Sequence, residues 1–295
     1  MKIDVVFSGG GVKSFAFLGA LESMKAHNLE LERVAGTSAG SIIAGLLAVG
    51  YSPGELDEMM KKLDLREFLD PPLISKLLPL SKWFYLYFKM GIYKGDCLEE
   101  WLYNCLAERN VYTFRDLKPG YLKIVVSDLS LGKLVVIPDD LERVYGLDPN
   151  HFLIAKAIRM SAGYPYFFMP KKISGKTSRR SVIVDGGLLS NYPLWVFDKP
   201  NERNLRPVLG IKLSDDIENT DPKKIKNVVD LSQALFKTMK QAHDIRYIST
   251  SHQKNTIFIP IKRVDTTNFR IEDKVKKQLI ELGKESADVF LTSWP

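Results

Sequence analysis

Val34-Ala35-Gly36-Thr37-Ser38-Ala39-Gly40-Ser41 constrains this chain more than any other stretch. A short apolar run ends in Gly-x-Ser-x-Gly and passes directly into a helical run, Ser41 to Val49. Strand, tight turn with a serine at its tip, then helix is the nucleophile elbow. Gly36 and Gly40 supply room. A serine on so sharp a turn brings strand and helix together two residues to either side, where a hydrogen fits and a larger side chain crowds. The helix N-terminus behind Ser38 favours a developing negative charge. The pattern arises by chance in roughly one chain of this length in ten, so its surroundings must separate it from an ordinary Gly/Ser turn.

The N-terminal stretch supplies the first of those surroundings. Ile3–Phe7 predicts a buried strand, Phe15–Ala26 a helix, and Ser8-Gly9-Gly10-Gly11-Val12-Lys13-Ser14 the loop between them. Bare backbone N–H groups converging at a helix start bind anions. Gly9-x-Gly11-x-x-Ser14 is one residue off the dinucleotide fingerprint, and a nucleotide P-loop fails because Val12, not glycine, precedes Lys13. The third anion is the oxyanion of an acyl-transfer intermediate. A dinucleotide fold would end its second strand, about Leu31–Ala35, in an acidic residue. This chain ends it in the Ser38 elbow, which favours an oxyanion hole beside a nucleophile.

With 295 residues, 45% of them hydrophobic, the chain can bury the core of a single α/β domain over 1–295. The net charge of +7 is interspersed, and no Lys/Arg block is long enough for a nucleic-acid arm. The surplus suits solubility or an anionic lipid surface. Cys97 and Cys105 lack metal-ligand spacing and do not suggest a disulfide scaffold. With no signal peptide or transmembrane run in the sequence, the expectation is a cytoplasmic protein, with peripheral membrane contact.

That contact is expected from an insertion around 73–95. Trp83, Phe84, Tyr85, Tyr87 and Phe88 crowd together with Lys76, Lys82, Lys89 and Lys94, and no acid occurs from Ser75 to Gly95. This composition fits a membrane-interface or lid segment, or a buried helical hairpin with snorkelling lysines. Further on, Asp96–Arg109 predicts an amphipathic helix, and Lys123–Ser127 and Lys133–Pro138 predict strands around a turn. Asp128 in that turn fits an acid capping its own backbone better than a catalytic group. A helix is expected from Pro149 to Ser161, then an aromatic loop, Ala162–Phe168, as acyl-chain wall or core. Ser178-Arg179-Arg180-Ser181 suits a solvated hairpin tip. Val182–Val184 runs into Asp185-Gly186-Gly187, a carboxylate at a strand end where backbone and ligand approach closely. Strands at Val208–Leu213 and Thr256–Ile259 and helices at Val228–Ile248 and Ile271–Leu291 complete an α/β pattern. Such alternation predicts three layers, with helices on both faces of a mainly parallel sheet.

A serine attacks a carbonyl when something takes its proton. His27 and His151 sit near helix ends, and His243 lies in a charged helix. Ser38, Asp185 and His252 follow the chain order of α/β-hydrolase triads, though the loop around His252 does not look built to present it. The simpler alternative is a dyad in which Asp185 accepts the Ser38 proton directly, helped by desolvation and an oxyanion hole.

Gly9-Gly10-Gly11-x-Lys13, Gly36-Thr37-Ser38-Ala39-Gly40 and Asp185-Gly186-Gly187 together resemble the signature blocks of patatin-like phospholipases. Ser161-Ala162-Gly163-Tyr164-Pro165, Asn191-Tyr192-Pro193 and Thr266-Thr267-Asn268-Phe269 extend the resemblance over nearly the whole chain. It implies a Ser-Asp lipid acyl hydrolase that needs no metal or cofactor, acting on phospholipid or another acyl lipid. Ser38 would be the nucleophile, Asp185 the base, and Gly10 and Gly11 the oxyanion donors. Lys13 would hold the loop or meet a phosphate head group. Ser8 and Ser14 stand where the family often has an acid and a glycine. Two readings stay beside this one: a Ser38-Asp185-His252 esterase or thioesterase, and a lipid-binding protein whose dyad is idle.

Overall fold

Short runs of Val, Ile and Phe become the strands of a central sheet, and the longer periodic runs between them become helices. The computed structural model describes residues 1–73, 81–175, 180–197, 206–215, 225–226, 230–232, 234–239, 254–262 and 264–294. The elements are β1 (Lys2–Phe7), α1 (Phe15–Ala26), β2 (Glu30–Thr37), α2 (Ala39–Ala48), α3 (Pro53–Lys62), α4 (Ser81–Lys89), β3 (Gly91–Tyr93), α5 (Asp96–Ala107) and β4 (Leu122–Asp128). They continue with β5 (Lys133–Ile137), α6 (Ile154–Ser161), β6 (Tyr166–Phe168), β7 (Lys171–Ser174), β8 (Arg180–Asp185), β9 (Val208–Asp215), β10 (Thr256–Ile261) and α7 (Asp273–Ser293).

The strand order is β10-β9-β1-β2-β4-β8-β7, with β5 also paired to β4. From β10 to β4 all neighbours are parallel, and β5, β8 and β7 add an antiparallel flank. Helices lie on both sides of this mostly parallel sheet. Alternate residues of one strand serve two cores, as the period of two requires. Val5, Phe7, Val34, Ile124 and Val126 join the larger core under the helices. Val6, Ala35 and Val125 join a smaller one closed by Tyr192, Leu194, Val196 and Phe197. Helices α1 and α7 cross where Gly19 and Gly283 leave no room for a Cβ against the other helix's backbone. Among the described residues no helix is long and apolar enough to cross a membrane.

Two expectations need correction. The helix expected from Pro149 to Ser161 is interrupted. Pro149–His151 form one 3-10 turn capped by Asp148, and the α-helix begins at Ile154. The break has a hydrogen-bond cause: Phe152 O accepts from Phe114 N–H, and Ile154 N–H donates to Tyr112 O, so this stretch pairs sideways before coiling. The aromatic loop at Ala162–Phe168 is in part a strand. Its last three residues, β6, pair with β3 in a two-stranded sheet. Residues 230–232 and 234–239 are helical, within the helix expected over Val228–Ile248; the rest of that span lies outside the described residues, as do His243, His252, Ser178, Arg179 and residues 74–80.

Candidate active site

One strand brings the two ends of the site together. β5 occupies one edge of β4 from Ile124 to Asp128. The opposite edge is shared. β2 pairs with it in parallel as far as Thr37 opposite Val125, and β8 pairs antiparallel with it starting at Asp185 opposite Val126. Two strands arriving from opposite directions therefore end on adjacent rungs. Ser38 is the next residue after Thr37, and its Oγ donates a 2.6 Å hydrogen bond to Asp185 Oδ2 across 147 residues of sequence.

The elbow has the geometry its glycines require. Ser38 adopts φ +54°, ψ −128°, a region that costs a residue with a side chain about 1–3 kcal/mol. Its surroundings hold it there. Its N–H donates to Ser161 Oγ at 2.9 Å, and its carbonyl accepts from Ser41 N–H at 2.9 Å and Ser41 Oγ at 2.6 Å. A Cβ on Gly40 would fall 2.5 Å from Ser8 O and 2.6 Å from Phe7 O, and one on Gly36 would meet the Gly40 carbonyl. Ser38 also forms the N-cap of α2, so its hydroxyl stands at the positive end of the helix dipole.

Asp185 is 2% exposed, and its second oxygen accepts from Gly187 N–H at 2.7 Å. Oδ1 thus meets the Gly187 amide while Oδ2 meets Ser38. A Cβ on Gly186 would strike Val125 O and the Thr37 methyl, so the chain leaving β8 passes where β2 ends.

The glycine loop closes a third side. Gly9 N–H donates to Asn191 O at 2.9 Å, and a Cβ on Gly9 would lie 3.1 Å from Ser38 Cβ. Gly11 has φ +55°, and a Cβ there would run into Thr266 O, which accepts from Val12 N–H at 3.1 Å. Lys13 N–H goes to Gly10 O, whereas the Gly10 and Gly11 N–H groups have no acceptor among the described residues. The serine at position 8 anchors the loop: its Oγ accepts from Leu213 N–H on β9 at 3.0 Å. Ser14 has φ −61°, ψ −14°, a helical conformation in which its Cβ costs nothing. The Lys13 side chain is buried, which fits the first of its two expected roles, holding the loop, better than contact with a phosphate head group.

Ser38, Asp185, Gly10 and Gly11 all open onto one cleft with about 920 Å³ of empty space, its solvent-open mouth included. Beyond those residues its walls are mainly apolar, with Phe15, Ile42, Ile43, Met60, Leu63, Phe68, Trp101, Phe167, Phe168 and Phe269 among the lining side chains. Phe167 stacks on Phe269 with ring centroids 5.1 Å apart. Burial, with the negative charge of Asp185 adding to it, pushes the Tyr164 phenol well above the usual tyrosine range. The phenol thus faces the site as a neutral group.

Outside the cleft, α4 presents Trp83, Phe84, Tyr87 and Phe88 at 57%, 57%, 80% and 59% exposure. The buried-hairpin alternative does not describe these rings. His27 caps the end of α1, and His151 pairs with Asp148 at the surface. Asp128 accepts from Leu131 N–H and from the Tyr145 hydroxyl, a turn acid with its oxygens occupied. Sequence reasoning quoted Ser161 and Thr266 as parts of blocks and gave neither a task; their partners are backbone groups far away in sequence, which leave no local signal.

Residues 5–198 match the family model of patatin-like phospholipase, and the chain belongs to that family. It is 42% identical over 294 residues to the uncharacterized protein YqhO of Bacillus subtilis (strain 168), covering 100% of this chain and 99% of that one. It is 24% identical over 205 residues to the probable lipid hydrolase 463L of Invertebrate iridescent virus 6, covering 64% of this chain and 61% of that one. The fold is similar to VipD from Legionella pneumophila, with a TM-score of 0.59 at 18% identity over 99% of this chain and 67% of that one.

Proposed function

We propose that this protein is a serine lipid acyl hydrolase of the phospholipase A or lipase type, working through Ser38 and Asp185. The observation that carries the reading is the 2.6 Å hydrogen bond from Ser38 Oγ to Asp185 Oδ2 at the wall of an apolar cleft. Ser38 Oγ attacks the acyl carbonyl carbon as its proton passes to Asp185. The carbonyl π electrons move onto oxygen, and the Gly10 and Gly11 N–H groups and the α2 dipole stabilise that charge. Collapse expels the alkoxide of the lipid, which takes the proton from Asp185. Water then gives a proton to Asp185 as it attacks the acyl-enzyme carbonyl. The second tetrahedral intermediate collapses with Ser38 Oγ leaving and taking that proton from Asp185, which releases the fatty acid and restores the pair. A carboxylate is a weak base towards a hydroxyl in water; enclosure and a prepared oxyanion site narrow that gap. The apolar walls suit a hydrocarbon chain. The exposed rings of α4, beside the exposed Lys89 and Lys94, suit peripheral contact with an anionic bilayer.

The test is hydrolysis of a short p-nitrophenyl ester and of mixed phospholipid vesicles by wild type, Ser38→Ala and Asp185→Asn. Activity in wild type and its loss in both variants is the expected result. Full activity in Asp185→Asn would end the dyad, and His252→Ala separates the triad: near-wild-type turnover removes it. Vesicle binding with no hydrolysis and no fluorophosphonate labelling of Ser38 would favour the idle lipid-binding reading.

A further inference from the structure

The stretch Ser161–Gly163 receives the backbone N–H of both residues of the pair. Ser161 Oγ accepts from Ser38 N–H at 2.9 Å, and Gly163 O accepts from Asp185 N–H at 3.0 Å. We infer that this stretch sets the Ser38–Asp185 geometry and that Ser161 is a positioning residue for the hydrolysis; the inference rests on the Ser38–Asp185 chemistry proposed above.

The argument begins at the last rung of β2. Up to Thr37 the backbone of β2 is paired to β4. At Ser38 the chain must leave the sheet, and its N–H is carried away from the ladder into the protein, where a donor without an acceptor is costly. The Ser161 hydroxyl takes that N–H and donates its own proton to Val125 O at 2.7 Å. Val125 is the residue opposite Thr37. A side chain from α6 thus replaces the next rung, bridging the strand carbonyl to the elbow amide while the backbone turns into its positive-φ conformation. Ser161 is fully buried, so no solvent competes for either bond.

Two residues earlier on the same helix, Arg159 fixes the platform. Its guanidinium is buried and donates to Gly95 O at 2.8 Å, Lys94 O at 2.7 Å and Met169 O at 3.0 Å. It also lies 4.8 Å from the Phe168 ring centroid. Burial draws it down to about 10, a level at which it is still charged at neutral pH. The end of α6 is therefore tied to the segment that follows β3 and to the strand that lines the cleft. Neither Arg159 nor Ser161 touches a reacting atom in this scheme; both act through the backbone of Ser38 and Asp185.

The experiment compares wild type, Ser161→Ala and Ser161→Thr on a soluble p-nitrophenyl ester, with turnover normalised to sites titrated by a fluorophosphonate. Amide hydrogen exchange of the peptide containing Ser38 is measured alongside. A misplaced reacting group costs on the order of 10²-fold, so Ser161→Ala should lose about that factor in kcat per titrated site with KM little changed. Its Ser38 peptide should exchange faster, and Ser161→Thr, which keeps the hydroxyl, should recover most of both. Fewer titratable sites with wild-type kcat per site would mean a merely structural role and overturn the inference. So would wild-type kcat and exchange in Ser161→Ala, or a folded Ser161→Thr no better than alanine. If Ser161→Ala does not fold, Ser161→Cys, near in size and a weak acceptor, is used instead; wild-type kcat in that variant overturns the inference. A wild type that neither turns over nor labels defeats the proposed hydrolysis, and the exchange measurement then decides the Ser161 bridge by itself.

Discussion

Around Ser38 the chain hides polar groups and gives them partners; along α4 it leaves apolar groups in water. The first arrangement fixes a bonded hydroxyl and carboxylate in the wall of one cleft, beside Gly10 and Gly11, with neighbours that Gly36 and Gly40 allow to approach closely. The second lines up four aromatic side chains, Phe84 against Phe88 at 4.5 Å and Tyr87 against Phe88 at 4.9 Å, with no core over them. On the proposed function, the hydrogen-bonded Ser38 and Asp185 are set for chemistry before the substrate arrives, and the rings exposed beside lysines offer a surface to a bilayer.

The sharpest way to break the comparison is at the pair itself. Ser38→Ala and Asp185→Asn should each lower hydrolysis by about 10⁴-fold or more while leaving thermal unfolding close to wild type, read by ester turnover and calorimetry. Next comes the packing that holds the elbow. Gly36→Ala places a Cβ against the Gly40 carbonyl and should cost about 3 kcal/mol in urea unfolding, with activity falling as the elbow shifts.

At α4 the order of effects should reverse. Replacing Trp83, Phe84, Tyr87 and Phe88 by serine should lower vesicle hydrolysis about tenfold or more, and short-ester turnover by much less, with little change in melting temperature. Equal loss on both substrates would show that these rings serve the cleft and not a surface. The smallest effect is electrostatic. Lys89→Glu and Lys94→Glu should each weaken binding to anionic vesicles by about 1 kcal/mol, a loss that shrinks as salt is added and is absent on neutral vesicles.

What could be read in advance divides along the same line. The elbow, the glycine loop and Asp185-Gly186-Gly187 were legible because each is one turn, and a turn writes its steric needs into adjacent residues. The five parallel strands were legible as apolar runs. The abutment of β2 and β8 on β4 was not, because it depends on which rung each strand reaches, and register leaves no trace in either strand alone. β3 and β6 are three residues each, too short for any period to show. The break before Ile154 came from pairing with residues 112–114, a partner the local pattern does not reveal. Lys13 shows what charge alone leaves open: a lysine in an anion loop fits either a phosphate contact or a prop for the loop, and its burial away from the cleft lining favours the prop. For α4 the aromatic spacing fitted an inside or an outside equally well, since rings surround much of the helix and the neighbours decide.

The seam on β4 also has a consequence in time. Ser38 is complete early in synthesis, but its partner arrives 147 residues later, at the end of the strand that lies against β4 on the far side of the seam. Such long-range pairing forms late and closes together with the sheet. On the proposed chemistry, a nascent or partly folded chain is therefore a hydrolase without a base, unable to attack the lipids it meets before the domain is whole. The appearance of labelling at Ser38 during refolding would serve as a clock for the docking of β8.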